Sequence, residues 1–185
     1  MVMRFEDFTE QAQEILGKSQ EIVRRYKYSQ WDAEHVLMAL LEHEEGVPAE
    51  ILRQLGVPVS AMRARLDEFL ERSPKADQES SQIYVAPRAA SLLERAKQEA
   101  QRLNDDFIGT EHILVAIVQE DQGDVASVLK EFNVDLESVY QALQQVRGGH
   151  RVTDQRAESR YKSLDRYSVD LTALAQEGKL DPVIG

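Results

Sequence analysis

Two Glu-His pairs, Glu34-His35 and Glu111-His112, come closest in this sequence to catalytic or metal-binding chemistry. Neither pair belongs to an H-E-x-x-H motif, and no glutamate stands three residues before a histidine. The chain has no cysteine, which excludes thiolate zinc sites and cysteine nucleophiles. It also lacks a phosphate-binding G-x-x-x-x-G-K-S/T loop and a G-x-S-x-G motif. We therefore predict no catalytic residue, no metal site and no cofactor, and a binding module rather than an enzyme.

The two glutamates have a structural interpretation and a functional one. Each lies in the first turn of a predicted helix, where a carboxylate complements the helix dipole by about 0.3–1 kcal/mol, and the histidines are expected to pack beneath the turn. Alternatively, the glutamates and the nearby Asp105-Asp106 form acidic points beside an apolar groove that accepts a basic or unfolded peptide. Thr9 is either a helix cap or part of the groove rim. Trp31 and Phe107 are either core residues or exposed anchors for a partner.

The elements that must position these groups occur twice, because the sequence matches itself at an offset of 77 residues. The run Glu-His-Val-Leu at residues 34–37, for example, corresponds to Glu-His-Ile-Leu at residues 111–114. A constant offset over about sixty positions indicates a duplication, and two copies are too few for an open solenoid. We predict a closed pair related by a pseudo-twofold axis, with copy one at residues 5–72 and copy two at residues 83–147.

Each copy is expected to form four helices, so the predicted fold is all-α with eight helices and essentially no strand. The first helix begins after Thr9 in copy one and at Pro87 in copy two, because threonine caps helices and proline fits their first position. The third helix ends before Gly56 in copy one and Asn133 in copy two, which are residues that adopt the left-handed conformation after a helix.

The net charge of −11 lies entirely in the duplicated part. Residues 148–185 hold six acidic and six basic side chains, which leaves 27 acidic and 16 basic ones in residues 1–147. Such an acidic domain repels nucleic acid and anionic membranes, and no apolar run is long enough to span a bilayer. We therefore expect a cytoplasmic protein whose partners are other proteins. The polar stretch at residues 149–163 is predicted to be an irregular linker rather than packed structure.

Two parts of the sequence resemble a known family. The duplicated eight-helix pattern, with Phe-Ile-Gly-Thr-Glu-His-Ile-Leu at residues 107–114, is similar to the Clp N-terminal domain of the AAA+ unfoldases. Residues 147–155, 163–172 and 178–185 resemble the segment that leads into the first ATPase domain of these proteins, and Val-Thr-Asp-Gln at residues 152–155 is most like the ClpB disaggregase branch. The resemblance implies that residues 148–185 are a linker and the start of a truncated AAA+ domain.

The resemblance also implies a function and a site. A domain of this family captures unfolded or aggregated polypeptide for threading by an AAA+ ring, and the family positions involved in substrate handling fall on Thr9, Asp105 and Glu111. ATP and magnesium would belong to the ATPase domains of the parent protein, which would be a homohexamer, whereas this segment alone would be a monomer. Adaptor proteins and the DnaK chaperone system are further partners that the resemblance implies for the parent.

Two alternatives stay open at the level of sequence. In the ClpC and ClpA branch, which serves proteases, glutamates at the positions of Glu34 and Glu111 would bind phosphoarginine or an adaptor. Copy one has Asp32-Ala33 where those proteins tend to have Gly-Thr, which weakens that interpretation. The other alternative is a helical adaptor that functions without an ATPase domain.

Overall fold

The computed structural model describes residues 3–73 and 82–158, and the predictions for residues 159–185 lie outside these ranges. This part of the chain contains eight α-helices, which confirms the predicted all-α class and the number of helices. Within it, no helix is both long enough and apolar enough to cross a bilayer. The helices of copy one are α1 (Glu10–Arg25), α2 (Ala33–Glu42), α3 (Val47–Gln54) and α4 (Val59–Arg72). The helices of copy two are α5 (Pro87–Arg102), α6 (Thr110–Val118), α7 (Gly123–Glu131) and α8 (Leu136–Arg147).

The helices begin and end at residues whose local chemistry favours a terminus. The Thr9 hydroxyl accepts a hydrogen bond from the Ala12 N–H at 3.1 Å and caps α1, and Pro87 occupies the first position of α5. Gly56 follows α3 with φ of 78°, and Asn133 follows α7 with φ of 56°. The predictions for these helix ends are confirmed because each depends on interactions within a few residues.

Helices α2 and α6 form the centre of the core. Every residue of α2 from position 33 to 41 is buried, as is every residue of α6 from position 110 to 117. A helix that is apolar on all sides can be stable only inside a shell of other elements. The other helices supply that shell, with α1 against α2 and α5 against α6 in the same relation.

Short parallel pairings, which the sequence did not predict, join the two copies. One is a two-stranded sheet of β1 (Gln30–Trp31) and β2 (Tyr84–Val85). The other is a single bridge between Phe8 and Ile108. Phe8 corresponds to Val85 in the repeat, and Ile108 corresponds to Trp31. In each copy the segment before the first helix therefore pairs with the segment before the second helix of the other copy, which is the arrangement that a pseudo-twofold axis produces.

Residues 151–158, which we call the strap, fold back over the helices after α8. The prediction that this stretch is a linker rather than packed structure was wrong for these residues, because Val152, Ala157 and Glu158 are at most 2% exposed. The strap has only two apolar residues to bury, and they show no helical spacing. Its partners lie more than forty residues earlier in the chain, so local sequence patterns cannot reveal the contact.

Candidate functional site

The copies meet along two related seams, each formed where the beginnings of two helices approach each other. At the first seam, between the N-termini of α1 and α6, the Thr9 N–H donates to the Ile108 carbonyl at 2.9 Å. At the second seam, between the N-termini of α5 and α2, the Ala86 N–H donates to the Trp31 carbonyl at 2.9 Å. These two hydrogen bonds are equivalent under the offset of the repeat. The structure therefore offers two positions where similar chemistry could occur.

Three of the four predicted substrate-binding residues come together at the first seam. Thr9 and Glu111 both lie beside the carboxyl group of Glu158, and Asp105 binds the backbone of Val152. Glu34 lies at the second seam instead. The predicted residues therefore do not form one continuous groove.

The strap covers the first seam and is held there by three hydrogen bonds of its backbone, together with contacts of its Arg151, Gln155 and Glu158 side chains. The Asp106 N–H donates to the Val152 carbonyl at 2.7 Å, and the Glu10 N–H donates to the Gln155 carbonyl at 2.9 Å. The Val152 N–H donates to Oδ1 of Asp105 at 2.9 Å. These bonds use main-chain groups that every polypeptide possesses, and they hold a segment that bends at residue 154, turns at residues 155–156 and is helical at residues 157–158. The seam can therefore bind the backbone of another segment that follows this path.

The carboxyl group of Glu158, at the end of the strap, lies beside the N-termini of both α1 and α6. The Thr110 hydroxyl donates to its Oε2 at 2.9 Å, and the Thr9 hydroxyl is near enough to lower the pKa of this carboxyl group. The N-termini of α1 and α6 add favourable dipole interactions with a negative charge. Burial raises the pKa of Glu158, and the two threonine hydroxyls oppose this rise only in part.

Glu111 lies next to Glu158 in the same enclosure and is completely buried. A Cβ atom added to Gly109 would lie 2.3 Å from Oε1 of Glu111 and 3.1 Å from Oε1 of Glu158, so both carboxyl groups crowd this glycine. Among the described residues, neither oxygen of Glu111 has a hydrogen-bond partner. Burial, and secondly the charge of Glu158, raise the pKa of Glu111 well above its usual range. The enclosure therefore favours the protonated, neutral form of Glu111.

Asp105 is the centre of a buried polar network that joins α6, α8 and the strap. It accepts hydrogen bonds from Arg147 and from Nε2 of His112, the latter at 2.7 Å. Burial alone would raise the pKa of Asp105, but the bonds from His112, Arg147 and Val152 together lower it. Burial lowers the pKa of His112 more than Asp105 raises it, so this histidine is neutral. Its Nδ1 accepts from the Gly109 N–H at 2.8 Å, which places the proton on Nε2.

The second seam holds Glu34 beside a guanidinium of the same chain. Nη1 of Arg88 lies 3.7 Å from Oε1 of Glu34 and 4.0 Å from Oδ2 of Asp32. Burial, and then the charge of Asp32, raise the pKa of Glu34 to about 7, although Arg88 lowers it. An internal guanidinium thus already occupies the position where an external arginine derivative would contact Glu34.

The polar groups that hold the strap occur at the first seam alone. The residues at the equivalent positions of the other copy cannot form the same hydrogen bonds. Thr9, Glu10, Asp105 and Thr110 correspond to Ala86, Pro87, Tyr28 and Ala33. The proline has no N–H to donate to a passing carbonyl. This difference between the copies was visible in the sequence, and comparing the copies for polar-to-apolar changes would have indicated which seam binds a backbone.

The two histidines and the two aromatic residues that precede α2 and α6 have structural roles. His35 and His112 are fully buried beneath the helix turns, as predicted, and each accepts a hydrogen bond from the N–H that precedes its helix. Trp31 belongs to the core and donates from Nε1 to Ser19 at 2.7 Å, whereas Phe107 is half-buried against the core. Within residues 3–73 and 82–158, no three His, Asp or Glu side chains are arranged to hold a metal ion.

Replacing Thr9 with alanine is expected to lower the free energy of unfolding by about 1–2 kcal/mol, because α1 loses its cap and Glu158 loses a neighbouring hydroxyl dipole. Urea unfolding measures the change. Thr9→Ser keeps the hydroxyl and should lose less than half as much stability. An equal loss in both variants would show that the methyl group, and not the hydroxyl, is what matters at this position.

Comparison with known proteins adds sequence and fold relatives. The sequence matches the family of the Clp repeat (R) N-terminal domain over residues 7–132. The chaperone protein ClpB of Leptolyngbya boryana is 40% identical over 181 residues, which cover 97% of this chain and 20% of that protein. The chain thus spans about a fifth of the length of this relative.

Solved structures share the fold at lower sequence identity. The Hsp104 N-terminal domain from Candida albicans superposes with a TM-score of 0.74 at 20% identity, covering 83% of this chain and 99% of that one. A ClpV N-domain in complex with a VipB peptide superposes with a TM-score of 0.56 at 15% identity, covering 76% of this chain and 86% of that one. Both likenesses concern the fold alone.

Proposed function

This chain belongs to the Clp repeat N-terminal domain family, and from that membership we propose that it captures unfolded or aggregated polypeptide for a ClpB-like disaggregase. The captured segment, called the client below, would pass to an AAA+ ring formed by other domains of the parent protein. The chain carries no phosphate-binding loop of its own. In this proposal ATP, magnesium and the hexameric assembly belong to the parent, which acts in the cytoplasm, and adaptors or the DnaK system reach the client through it.

The observation that carries the proposal is that the first seam binds a segment of chain by its main-chain groups. The N–H groups of Glu10 and Asp106 and the carboxylate of Asp105 bind the strap through its main-chain atoms. Unfolded clients share no sequence, so a site that serves many of them must depend largely on the backbone and on small apolar contacts. The ClpV N-domain, which has the same fold, was solved with a peptide bound.

The charge of the chain supports the same kind of client. Residues 1–147 carry the whole net charge of −11, which favours association with basic segments and disfavours acidic ones. Because this attraction acts between exposed charges, raising the salt concentration should weaken client binding.

The phosphoarginine alternative finds no support in the geometry. Arg88 already lies beside Glu34, and the strap encloses Glu111 with a second carboxyl group. Neither glutamate presents an open, charged carboxylate to a modified arginine. The sequence relative described above is also a ClpB chaperone by name, which favours the disaggregase branch.

The experiment compares the folded and unfolded forms of one labelled protein. We expect reduced and carboxymethylated α-lactalbumin, which cannot refold, to bind the 185-residue chain saturably in fluorescence anisotropy. Native α-lactalbumin with the same label is the matched control and should not bind. If the unfolded protein fails to bind at physiological salt, where repulsion between the acidic domain and the acidic carboxymethylated protein is screened, or if both forms bind equally, capture of unfolded polypeptide is not the function of this domain.

A further inference from the structure

We propose that the strap is a resident competitor for the client, so that an unfolded segment enters the first seam by displacing residues 151–158. The inference rests on the proposed function and adds to it how access to the site is controlled. It also defines which side chains a client should carry.

The contacts of the strap are those that a replaceable ligand would make. Its main chain is held by Glu10, Asp106 and Asp105, and only Val152 and Ala157 contribute buried apolar side chains. Another segment that follows the same path, with small apolar residues at these two positions, can form the same backbone hydrogen bonds and fill the same space. The side chains of the strap add hydrogen bonds to Asn104, Glu6 and Thr110. A client must offset these contacts and the advantage that covalent attachment gives the strap.

With the strap in place, some buried polar atoms of the first seam lack hydrogen-bond partners among the described residues. The strap places the carboxyl group of Glu158 against that of Glu111, and among the described residues both oxygens of Glu111 and Oε1 of Glu158 lack hydrogen-bond partners. Buried polar groups of this kind favour any exchange that supplies a partner. A client with a lysine, arginine or amide side chain in the place of Glu158 would donate a hydrogen bond to Glu111.

The second seam is open to solvent, but it is a poor alternative binding site for a client. Val85 is 56% exposed there, whereas its counterpart Phe8 at the first seam is 4% exposed. At the second seam, Pro87 stands at the position equivalent to Glu10 and has no N–H to donate. Tyr28 stands at the position equivalent to Asp105. The backbone-binding groups are thus confined to the seam that the strap covers, which is why a client must compete with it.

Two variants of the 185-residue chain change the strap in opposite directions. Val152→Asp places a charge in a buried apolar position and should release the strap, so that carboxymethylated α-lactalbumin binds about tenfold more tightly. Glu10→Cys with Arg156→Cys allows a short bis-maleimide to fasten the strap to α1. The two native side chains lie 3.4 Å apart and are exposed, and the chain has no other cysteine. The fastened protein should lose client binding, and the same variant without cross-linker is its control.

Amide hydrogen exchange reports directly on the strap. The Glu10 N–H is the first of α1 and has no partner within its helix, so its protection depends on the Gln155 carbonyl. Val152→Asp should abolish this protection while the helical circular dichroism stays unchanged, and Thr153→Ala, at an exposed strap position, should leave it intact. If Val152→Asp disturbs the helices, the cross-linked variant decides alone.

The outcomes separate this inference from the proposed function. If the fastened and free forms bind the client equally, or if the released strap gives no gain in affinity, displacement is overturned while client capture stands. If neither the wild type nor Val152→Asp binds the client, capture itself fails.

The side-chain preference has its own test. A peptide with the sequence of residues 150–158 is offered to the Val152→Asp variant and compared with the same peptide ending in lysine. The lysine peptide should bind at least several-fold more tightly, and a preference for the glutamate peptide would contradict the assignment of Glu111 as the unsatisfied acceptor.

Discussion

Replacing Glu111 with glutamine is expected to stabilise the protein at neutral pH and to flatten its stability profile between about pH 5 and 8. Glutamine keeps the size of the side chain, carries no ionisable proton, and can donate a hydrogen bond to Oε1 of Glu158. In the wild type this enclosure holds two carboxyl groups with unsatisfied oxygens among the described residues. The substitution removes the cost of protonating Glu111 when the chain folds at neutral pH.

The direction of the pH effect follows from the pKa of Glu111 in the two states. In the unfolded chain a glutamate has a pKa of about 4.3. Burial, and then the charge of Glu158, raise the pKa of Glu111 in the folded protein. Between these two values the folded state holds a proton that the unfolded state releases, so stability falls as pH rises, by about 1.4 kcal/mol per pH unit. At pH 7 the glutamine variant should therefore be more stable, by at most about 4 kcal/mol.

Urea unfolding at pH 5, 6, 7 and 8 measures this effect. Glu94→Gln, on the exposed face of α5, is the matched control and should shift stability by less than about 0.5 kcal/mol at every pH. A smaller slope will persist in the Glu111→Gln variant, because burial also raises the pKa of Glu34 to about 7. An unchanged slope, or a loss of stability at pH 7, would contradict the assignment of Glu111 as a buried and protonated group.

Replacing Asp105 with asparagine is expected to lower the free energy of unfolding by about 3–5 kcal/mol at pH 7. The substitution removes the carboxylate partner of Arg147, whose side chain is 8% exposed. The NH₂ group of the asparagine would also face a hydrogen-bond donor, because His112 and the Val152 N–H both donate to Asp105. An asparagine offers one acceptor oxygen where the carboxylate offers two.

The same variant should lose its disadvantage in acid. Because the His112, Arg147 and Val152 hydrogen bonds lower the pKa of Asp105 in the folded state despite burial, its contribution is complete above the unfolded pKa of about 3.9. That contribution is lost as the pH falls through the lower folded-state pKa. The difference between the wild type and Asp105→Asn should therefore shrink below about pH 4.

Chemical unfolding of Asp105→Asn and of Asp106→Asn tests this prediction. Asp106 is the exposed neighbour, and its side chain takes no part in the buried network, so its substitution should cost less than about 0.5 kcal/mol. Equal losses in the two variants would show that the Asp105 network does not stabilise the fold. Loss of protection at the Glu10 amide in Asp105→Asn alone would show that the network also anchors the strap.

Much of the fold follows from the sequence because the signals are local. Thr9, Pro87, Gly56 and Asn133 determine helix ends through contacts or conformations within a few residues. The repeat adds information of a different kind, since one constant offset predicts that the two halves share their turns and buried positions. The pairings between copies were not predicted, because strands of two residues leave no periodic pattern.

The site was predicted only in part, for a physical reason. The resemblance indicated Thr9, Asp105 and Glu111, which the structure brings to one seam. It did not indicate that the strap covers them. The contact between Gln155 and Glu6, for instance, joins residues that are 149 positions apart. A polar stretch that buries two small side chains looks like a linker until its distant partners are known.

The most direct test of the account is an amide hydrogen exchange map of the 185-residue chain with and without carboxymethylated α-lactalbumin. We predict that the changes concentrate at the first seam and its cover, in residues 8–12, 105–112 and 151–158, with the strap losing protection as the client binds. The second seam, at residues 30–34 and 84–88, should change little. Changes confined to the second seam or to the outer faces of α4 and α7, with the strap still protected, would contradict the account.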